Sequence, residues 1–348
     1  MKIAQVAPLY ERVPPKFYGG TERIVSYLTE ELVRQGHDVT LFASGDSLTS
    51  ARLASVCDEA LRLNQDIKDD ILYHILLVEE VARHAAEFDF IHFHLNYLHF
   101  PIARRLPTPH ITTLHGRLDL PEYVSLYREF PDAPVVSISD SQREPLPWLN
   151  WQATVHHGLP ENLFQWRAES PGKYLAFIGR FSPEKRVDRA IEIAKRSGMP
   201  LKIAAKIENA ELEYYKTAVE PLLDGPLIEY IGEIGEQQKQ DFLGDAYAQI
   251  FPIDWPEPFG LVTIEAMACG TPTIAFRCGS VPEIIDDGVT GFIVDSVEEA
   301  VESLERVAAL DRGNCRRTFQ KRFSASRMVK DYMKVYARIQ SESPSVAA

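Results

Sequence analysis

The sequence predicts an α/β protein made of two doubly wound parallel sheets that follow one another along the chain. A chain of 348 residues exceeds the size at which one hydrophobic core usually stops growing. Short apolar runs alternate with amphipathic helical stretches in two successive series, the pattern of βα units. The two series are separated near residues 158–172, where Gly158, Pro160, Pro171 and Gly172 interrupt the pattern.

In the first series KIAQVAP reads as a buried strand, followed by a Pro/Gly loop, the amphipathic helix TERIVSYLTEELVRQG ending at Gly36, and the strand HDVTLFAS. The helix DILYHILLVEEVARHAAE and the strands FDFIHFH, HITTLHG, APVVSIS and ATVHHG continue it. The second series opens with the strand KYLAFIGRF, the helix SPEKRVDRAIEIAKRSG, the strand PLKIAAK and the helix AELEYYKTAVEPLL. It runs on through LIEYIGE, a helix near 236–247, the strand QIFPI, the helix TIEAMACG and the strands TPTIAF and GFIV. Ligands of such sheets bind at the C-terminal ends of the strands. The tail SESPSVAA reads as disordered.

Composition narrows the function. A formal net charge of −13 argues against a general nucleic-acid role, which needs a basic footprint. No run approaches the ~20 apolar residues that span a bilayer, and the first residues form a strand rather than a signal-peptide h-region, so a cytoplasmic protein is expected. Cys57, Cys269, Cys278 and Cys315 form no CxxC pair and read as reduced. Between Arg312 and Arg338 there are nine Lys or Arg and one acid, Asp331. That stretch is read either as a solvated helical face or as a weak peripheral contact with an anionic membrane.

Two segments carry candidate chemistry. In IGRFSPEKR, Arg180 lies at a strand end, Ser182 and Pro183 suit the N-cap and N1 positions, and Lys185 falls in the first helical turn. Two fixed cations beside a helix start can hold a diphosphate; surface charges around a capped helix are the plainer reading. In EPFGLVTIE, Glu257 precedes a Pro-Phe-Gly turn and Glu265 lies about one turn inside the helix that follows, which ends at Gly270. Such carboxylates can accept hydrogen bonds from a sugar and from a ribose diol, while the N–H groups of residues 259–262 face an anion. A helix-dipole partner and an exposed helix position are the plainer readings of the pair.

The stretch WPEPFGLVTIEAMACGTPTIAFRCGSVPEIIDDGVTGFI, from Trp255 to Ile293, resembles the signature region of retaining glycosyltransferases of family 4, with its two glutamates separated by seven residues. IGRFSPEKR is similar to that family's diphosphate-binding segment and YGGTE to its glycine-rich loop. The resemblance implies the GT-B fold, two Rossmann-like domains facing a cleft. Residues 1–160 would take the acceptor, 170–322 the nucleotide-sugar donor, and a helix over 323–340 would cross back to the N-terminal domain. It implies that Arg180 and Lys185 stabilise the departing nucleoside diphosphate, that Glu265 holds the ribose, and that Glu257 bonds donor-sugar hydroxyls near C3. Backbone N–H groups of Phe259, Gly260 and Leu261 would lie near the sugar and phosphate, and His115 in TTLHG matches the histidine beside the transferred sugar. Gly19 and Gly20 would let the backbone approach the diphosphate.

The resemblance implies hexose transfer from a nucleoside-diphosphate sugar, UDP-linked by expectation, to a hydroxyl acceptor that the sequence does not name. No metal or other cofactor is expected. Departures from the family pattern are VHHGLP, with His157 where many relatives have Asn, and Lys206 where a small residue is common. His92, His94 and His99 in HFHLNYLHF suggest a metal cluster only weakly, and His94 is also read as a residue of the acceptor cleft. Ser139, Asp140 and Ser141 lack a G-x-S-x-G elbow, which argues against a hydrolase. The rival functions are a nucleotide-sugar epimerase on the same fold and a silent nucleotide-sugar-binding protein. An NAD-dependent dehydrogenase is disfavoured because no GxGxxG follows the first strand.

Overall fold

The computed structural model describes residues 1–16, 19–64, 66–168 and 172–342. Tyr18 of the glycine-rich segment, Pro171 of the interval between the series, and residues 343–348 of the tail expected to be disordered lie outside the described residues. The chain divides into two compact units, Met1–Pro160 with the C-terminal segment from Ser324, and Glu161–Phe323.

The first unit contains seven parallel strands: β1 (Lys2–Val6), β2 (Asp38–Phe42), β3 (Arg52–Ala54), β4 (Phe90–Phe93), β5 (His110–Thr113), β6 (Val135–Ser137) and β7 (Trp151–Thr154). Their order is β3-β2-β1-β4-β5-β6-β7, so the direction of winding reverses between β1 and β4. Strands such as β1 and β4 are buried on both faces, which is why they read as near-continuous apolar runs. Helices α1 (Gly20–Arg34), α2 (Asp70–His84) and α3 (Pro121–Glu129) belong to the crossovers. β3 was not foreseen, since Arg-Leu-Ala is too short to show alternation, and β7 begins two residues before the expected ATVHHG.

The second unit has six parallel strands: β8 (Leu175–Arg180), β9 (Leu201–Lys206), β10 (Ile228–Gly232), β11 (Ala248–Phe251), β12 (Thr273–Phe276) and β13 (Gly291–Val294). The order β10-β9-β8-β11-β12-β13 reverses between β8 and β11. Its helices include α4 (Val187–Ser197), α5 (Glu236–Gly244), α6 (Leu261–Cys269), α7 (Val297–Val307) and α8 (Arg312–Arg322). The core packs Ile191, Ile193 and Ala194 of α4 with Ile203, Ile250, Ile274 and Leu304.

Two helices differ from expectation. The segment from Ser182 to Gly198 is not one helix: Pro183–Lys185 form a single 3-10 turn, Arg186 adopts a left-handed conformation (φ 49°, ψ 50°), and α4 starts at Val187. Ser182 makes no side-chain cap bond, and Lys185 is therefore outside the helix proper. The unusual backbone at Arg186 is offset by tertiary bonds, because its guanidinium holds Asp188 and Asp254 at 2.8–3.1 Å. AELEYYKTAVEPLL is likewise broken into short 3-10, α and π turns between Asn209 and Leu222.

The final helix, α9 (Ala325–Glu342), belongs to the first unit. It buries Ala325, Met328, Val329, Tyr332, Val335 and Tyr336, one stripe at helical spacing. Tyr336 stacks on Phe90 with ring centroids 4.3 Å apart. At its start the Ala325 N–H donates to the Leu159 carbonyl at 2.8 Å, and a Cβ on Gly158 would fall on the Ser324 backbone. Gly158→Ala is therefore expected to destabilise the protein by about 1–3 kcal/mol, the usual cost of overpacking, as measured by urea denaturation.

Candidate active site

Arg180 is the last residue of β8, and Glu257 lies in the segment between β11 and α6, so both occupy the C-terminal edge of the second sheet at the point where its winding reverses. Arg180 pairs in register with Lys206 at the end of β9. Glu208 stands 3.6 Å from the Arg180 guanidinium and 3.7 Å from the Lys206 ammonium, so two adjacent cations share one negative charge. Lys206 thus joins the cluster at the strand ends, beside the candidate diphosphate residue.

Lys185 and Glu257 form an ion pair through Glu257 Oε2, and both side chains are largely buried. The same oxygen accepts from Trp255 Nε1 at 2.8 Å. The Lys185 ammonium lies 5.4 Å from the Trp255 ring centroid and 5.8 Å from that of Phe251, a cation–π environment on two sides. Among the described residues no hydrogen bond reaches Glu257 Oε1.

The turn between Glu257 and α6 needs its glycines. Gly260 sits at φ 81°, caps the helix, and has its carbonyl held by the Thr263 N–H at 3.0 Å. Phe259 is buried and its carbonyl accepts from Ser280 Oγ at 2.8 Å. Leu261 opens the helix, and first-turn N–H groups precede the point at which internal helix bonding begins. Gly279, at φ 55°, packs so closely on Glu257 that a Cβ there would strike its backbone.

Glu265 is buried in α6 rather than exposed, with 3% of its side chain accessible. Lys239 of α5 donates to both its oxygens, at 2.7 and 2.8 Å. Neither Lys239 nor Glu208 is foreseeable from the sequence, since each meets its partner through tertiary structure. The basic stretch that follows is used partly inward. Arg312 bonds the carbonyls of Gly244 and Ala246, Arg316 those of Glu161, Phe164 and Ala268, and Arg327 those of His156 and His157.

The remaining candidates lie in the first unit, around its own reversal between β1 and β4. His115 follows β5, with Nε2 2.8 Å from His94 Nδ1 and its ring stacked on His157 at 5.2 Å between centroids. Burial pushes the His115 pKa down to about 3, so its imidazole is neutral. Gln142 fixes the loop on both sides, its amide donating to the Leu114 carbonyl at 2.9 Å and the Gly116 carbonyl at 2.7 Å. The SISDSQRE segment thus supplies a buried clamp.

His94 does not offer a free face. It is fully buried between His115 and Gln5, while His92 bonds Tyr336 and Thr113 and His99 bonds Thr112. Among the described residues no group of three or more His, Cys, Asp or Glu is placed to hold a metal ion, and no helix is long and apolar enough to cross a membrane.

Gly20 opens α1, and Gly19 precedes it with extended backbone. A Cβ on Gly19 would lie 2.8 Å from the Pro15 Cβ and 3.2 Å from Glu22 Oε2, so packing alone requires glycine there. Glu22 is buried beside it, and desolvation raises its pKa from 4.5 to about 7.

Residues 160–322 match the glycosyl transferases group 1 family and residues 18–149 match glycosyltransferase family 4. The chain is a family 4-like glycosyltransferase. It is 26% identical over 256 residues to an uncharacterized glycosyltransferase of Methanocaldococcus jannaschii, covering 68% of this chain and 71% of that protein. It is 29% identical over 180 residues to D-inositol 3-phosphate glycosyltransferase of Mycolicibacterium smegmatis, spanning 49% of this chain and 41% of that protein. Among solved structures, sucrose-phosphate synthase from Thermosynechococcus elongatus superposes with a TM-score of 0.80 at 18% identity, covering 99% of this chain and 100% of that one. HepE of Anabaena, in complex with UDP and glucose, superposes at 0.71 with 18% identity over 97% and 100% of the two chains. The fold of this glycosyltransferase is GT-B.

Two expectations follow for this glycosyltransferase. Glu265→Ala leaves the Lys239 charge without its partner, so it is expected to lower stability by about 3 kcal/mol or more, whereas Lys239→Met with Glu265→Gln recovers most of that loss in chemical denaturation. Glu22 binds its proton more tightly folded than unfolded. Its contribution therefore turns unfavourable as pH rises from 4.5 to about 7, and the penalty is complete above that. Glu22→Gln is expected to gain on the order of 3 kcal/mol over the parent at alkaline pH and almost nothing below pH 4.5, read from denaturation at several pH values.

Proposed function

We propose that this glycosyltransferase moves a hexose from a nucleoside-diphosphate sugar, UDP-linked, to a hydroxyl acceptor with retention at the anomeric carbon. The observation that carries the reading is the grouping of Arg180, Lys206 and Glu208 at the ends of β8 and β9 with the Lys185–Glu257 pair on the segments that follow β8 and β11. The UDP and glucose bound by Anabaena HepE are consistent with this donor class.

Each residue then has a task. Arg180 and Lys185 offset the charge that develops on the leaving diphosphate, and Lys206 adds a third cation beside Arg180. Glu257 keeps Oε2 on Lys185 and Trp255 and offers Oε1 to a sugar hydroxyl. The first-turn N–H groups of α6, from Leu261 onward, favour an anion at that helix end. Glu265 accepts from the ribose while Lys239 holds its charge in place.

Retention in glycosidases uses a carboxylate nucleophile about 5–5.5 Å from a second carboxyl group. Glu257 is tied to Lys185 and Trp255 instead, which suits a clamp better than a nucleophile. The reading is therefore same-face attack through an oxocarbenium-like state, with the departing diphosphate taking the acceptor proton. No metal is assigned a role, because the cations at the strand ends serve the leaving group.

The test is a panel of nucleotide sugars scored by thermal shift, then by donor hydrolysis and product analysis with donor alone, which separates transfer from epimerisation. A UDP-sugar is expected to raise the melting temperature more than UDP does; no shift with any nucleotide sugar would overturn the reading. Arg180→Ala is expected to lower turnover about 10²- to 10³-fold, the cost of losing one preorganised charge-stabilising donor, with the melting temperature little changed.

A further inference from the structure

Helix α2 holds the loop that follows β1 through one buried side chain, His74. The Leu9 N–H donates to His74 Nε2 at 3.2 Å, and His74 Nδ1 lies 2.9 Å from the Asp70 carbonyl, one turn earlier in the same helix. Two further bonds tie the loop to the 3-10 turn Leu61–Leu63. The Leu61 N–H donates to the Leu9 carbonyl at 2.9 Å, and the Arg62 N–H to the Tyr10 carbonyl at 3.0 Å. The Tyr10 ring leans on the imidazole, with centroids 4.8 Å apart.

The partners of this imidazole fix its protons. A backbone N–H only donates and a backbone carbonyl only accepts, so Nδ1 carries the hydrogen and Nε2 the lone pair. Neither partner is a side-chain amide or hydroxyl that could be turned round. A second proton has one place to go, Nε2, where it would face the Leu9 N–H. Protonation therefore replaces a buried hydrogen bond by two opposed donors, and the ring and the Leu9 backbone can no longer keep their present distance.

The groups around the ring set when this happens. Burial lowers the His74 pKa, and this outweighs the Asp70 carbonyl bond and the Asp70 carboxylate, which both favour the imidazolium. From the loop, the Tyr10 hydroxyl is pushed up by burial and by the charges of Asp70, Tyr97 and Glu22, so it stays neutral throughout. From the 3-10 turn, Arg62 pairs with Glu11 at 3.3 Å. From α1, Glu22 accepts from the Glu11 N–H.

We propose that His74 is an acid-sensitive clasp: its neutral ring pins residues 9–11 to α2, and its imidazolium releases them. The loop leaves β1 at the C-terminal edge of the first sheet, at the reversal of winding where ligands of such sheets bind. Its Glu11 N–H reaches Glu22, whose carboxylate borders Gly19 of the glycine-rich turn. Opening the clasp thus reshapes the ligand-binding edge of the first unit, whatever ligand that edge takes. Above about pH 6.5 the ring is neutral in the folded and the unfolded chain, and the clasp is intact. As pH falls below that value the unfolded chain gains the proton first, so the stability that the clasp contributes shrinks, and the loop opens once the folded ring is protonated.

The experiment is nitrogen-15 NMR of full-length protein labelled at histidine and leucine, followed from pH 8 downward, with signals assigned by His74→Gln and Leu9→Ile. At pH 8 His74 is expected to carry its proton on Nδ1 and none on Nε2. On acidification the ring is expected to titrate below the ordinary histidine value. The Leu9 amide should shift with the same midpoint and lose about 10-fold of its protection from hydrogen exchange, the weight of one ordinary hydrogen bond. Asp70→Asn removes the carboxylate that favours the imidazolium, and is expected to move both midpoints to lower pH together. A neutral His74 protonated on Nε2 would overturn the proposal without any variant having to fold. So would a Leu9 amide that does not respond while His74 titrates, or a unit that unfolds as a whole before the ring takes its proton.

Discussion

Charge neutralisation at the ends of β8 and β11 is the constraint on which the second unit's candidate site depends. These two strands are neighbours at the reversal of winding; β8 ends on Arg180, and the segments after the two strands carry Lys185, Arg186, Asp254 and Glu257. Four links fasten the segments together: the Lys185–Glu257 pair, Asp254 bridging Arg186 and Arg189, and the Asp254 N–H on the Glu184 carbonyl at 2.9 Å. A parallel sheet alone would only bring the two loops near one another. The ion pairs set their register, and the left-handed Arg186 is the local strain accepted for that fit.

The same logic explains why the candidate carboxylates are paired with cations. A buried carboxylate without a partner would take up a proton and lose its value as an acceptor. Glu265 has both oxygens bonded by Lys239, and Glu257 is anchored by one oxygen, while no hydrogen bond among the described residues reaches the other. Glu22 shows the alternative, a carboxylate whose desolvation is only partly offset by backbone N–H groups and the Arg62 charge, and whose pKa rises accordingly.

How far the sequence could be read follows from the range of each interaction. The parallel sheets were legible because strands buried on both faces leave apolar runs in the chain, as in KIAQVAP and TPTIAF. Glu257, Gly260 and Glu265 were legible because their arrangement is made within nine consecutive residues, and Gly270 because a helix ending on a left-handed residue favours glycine. Lys239, Glu208 and Gln5 were not, since a lysine on a helix or a glutamine in a strand carries no mark of the partner it meets tens or hundreds of residues away. The break at Arg186 was hidden for a related reason: Ser-Pro-Glu-Lys-Arg has good local helix-start chemistry, and bonds to Asp254 override it. The sequence left an acceptor-cleft place open for His94 because the pattern H-x-H gives a face of the strand but not what covers that face, which is His115 and Gln5.

The last helix gives the two units different histories. Glu161–Phe323 is one continuous stretch, whereas the first unit lacks α9 until Ser324 and the residues beyond it have been added. During synthesis from the N-terminus the second unit therefore has all its parts before the first does. The seven strands made earliest must wait, with the surface later covered by Tyr332 and Tyr336 still open to water. The order in which the chain is made is thus not the order in which its domains can be finished.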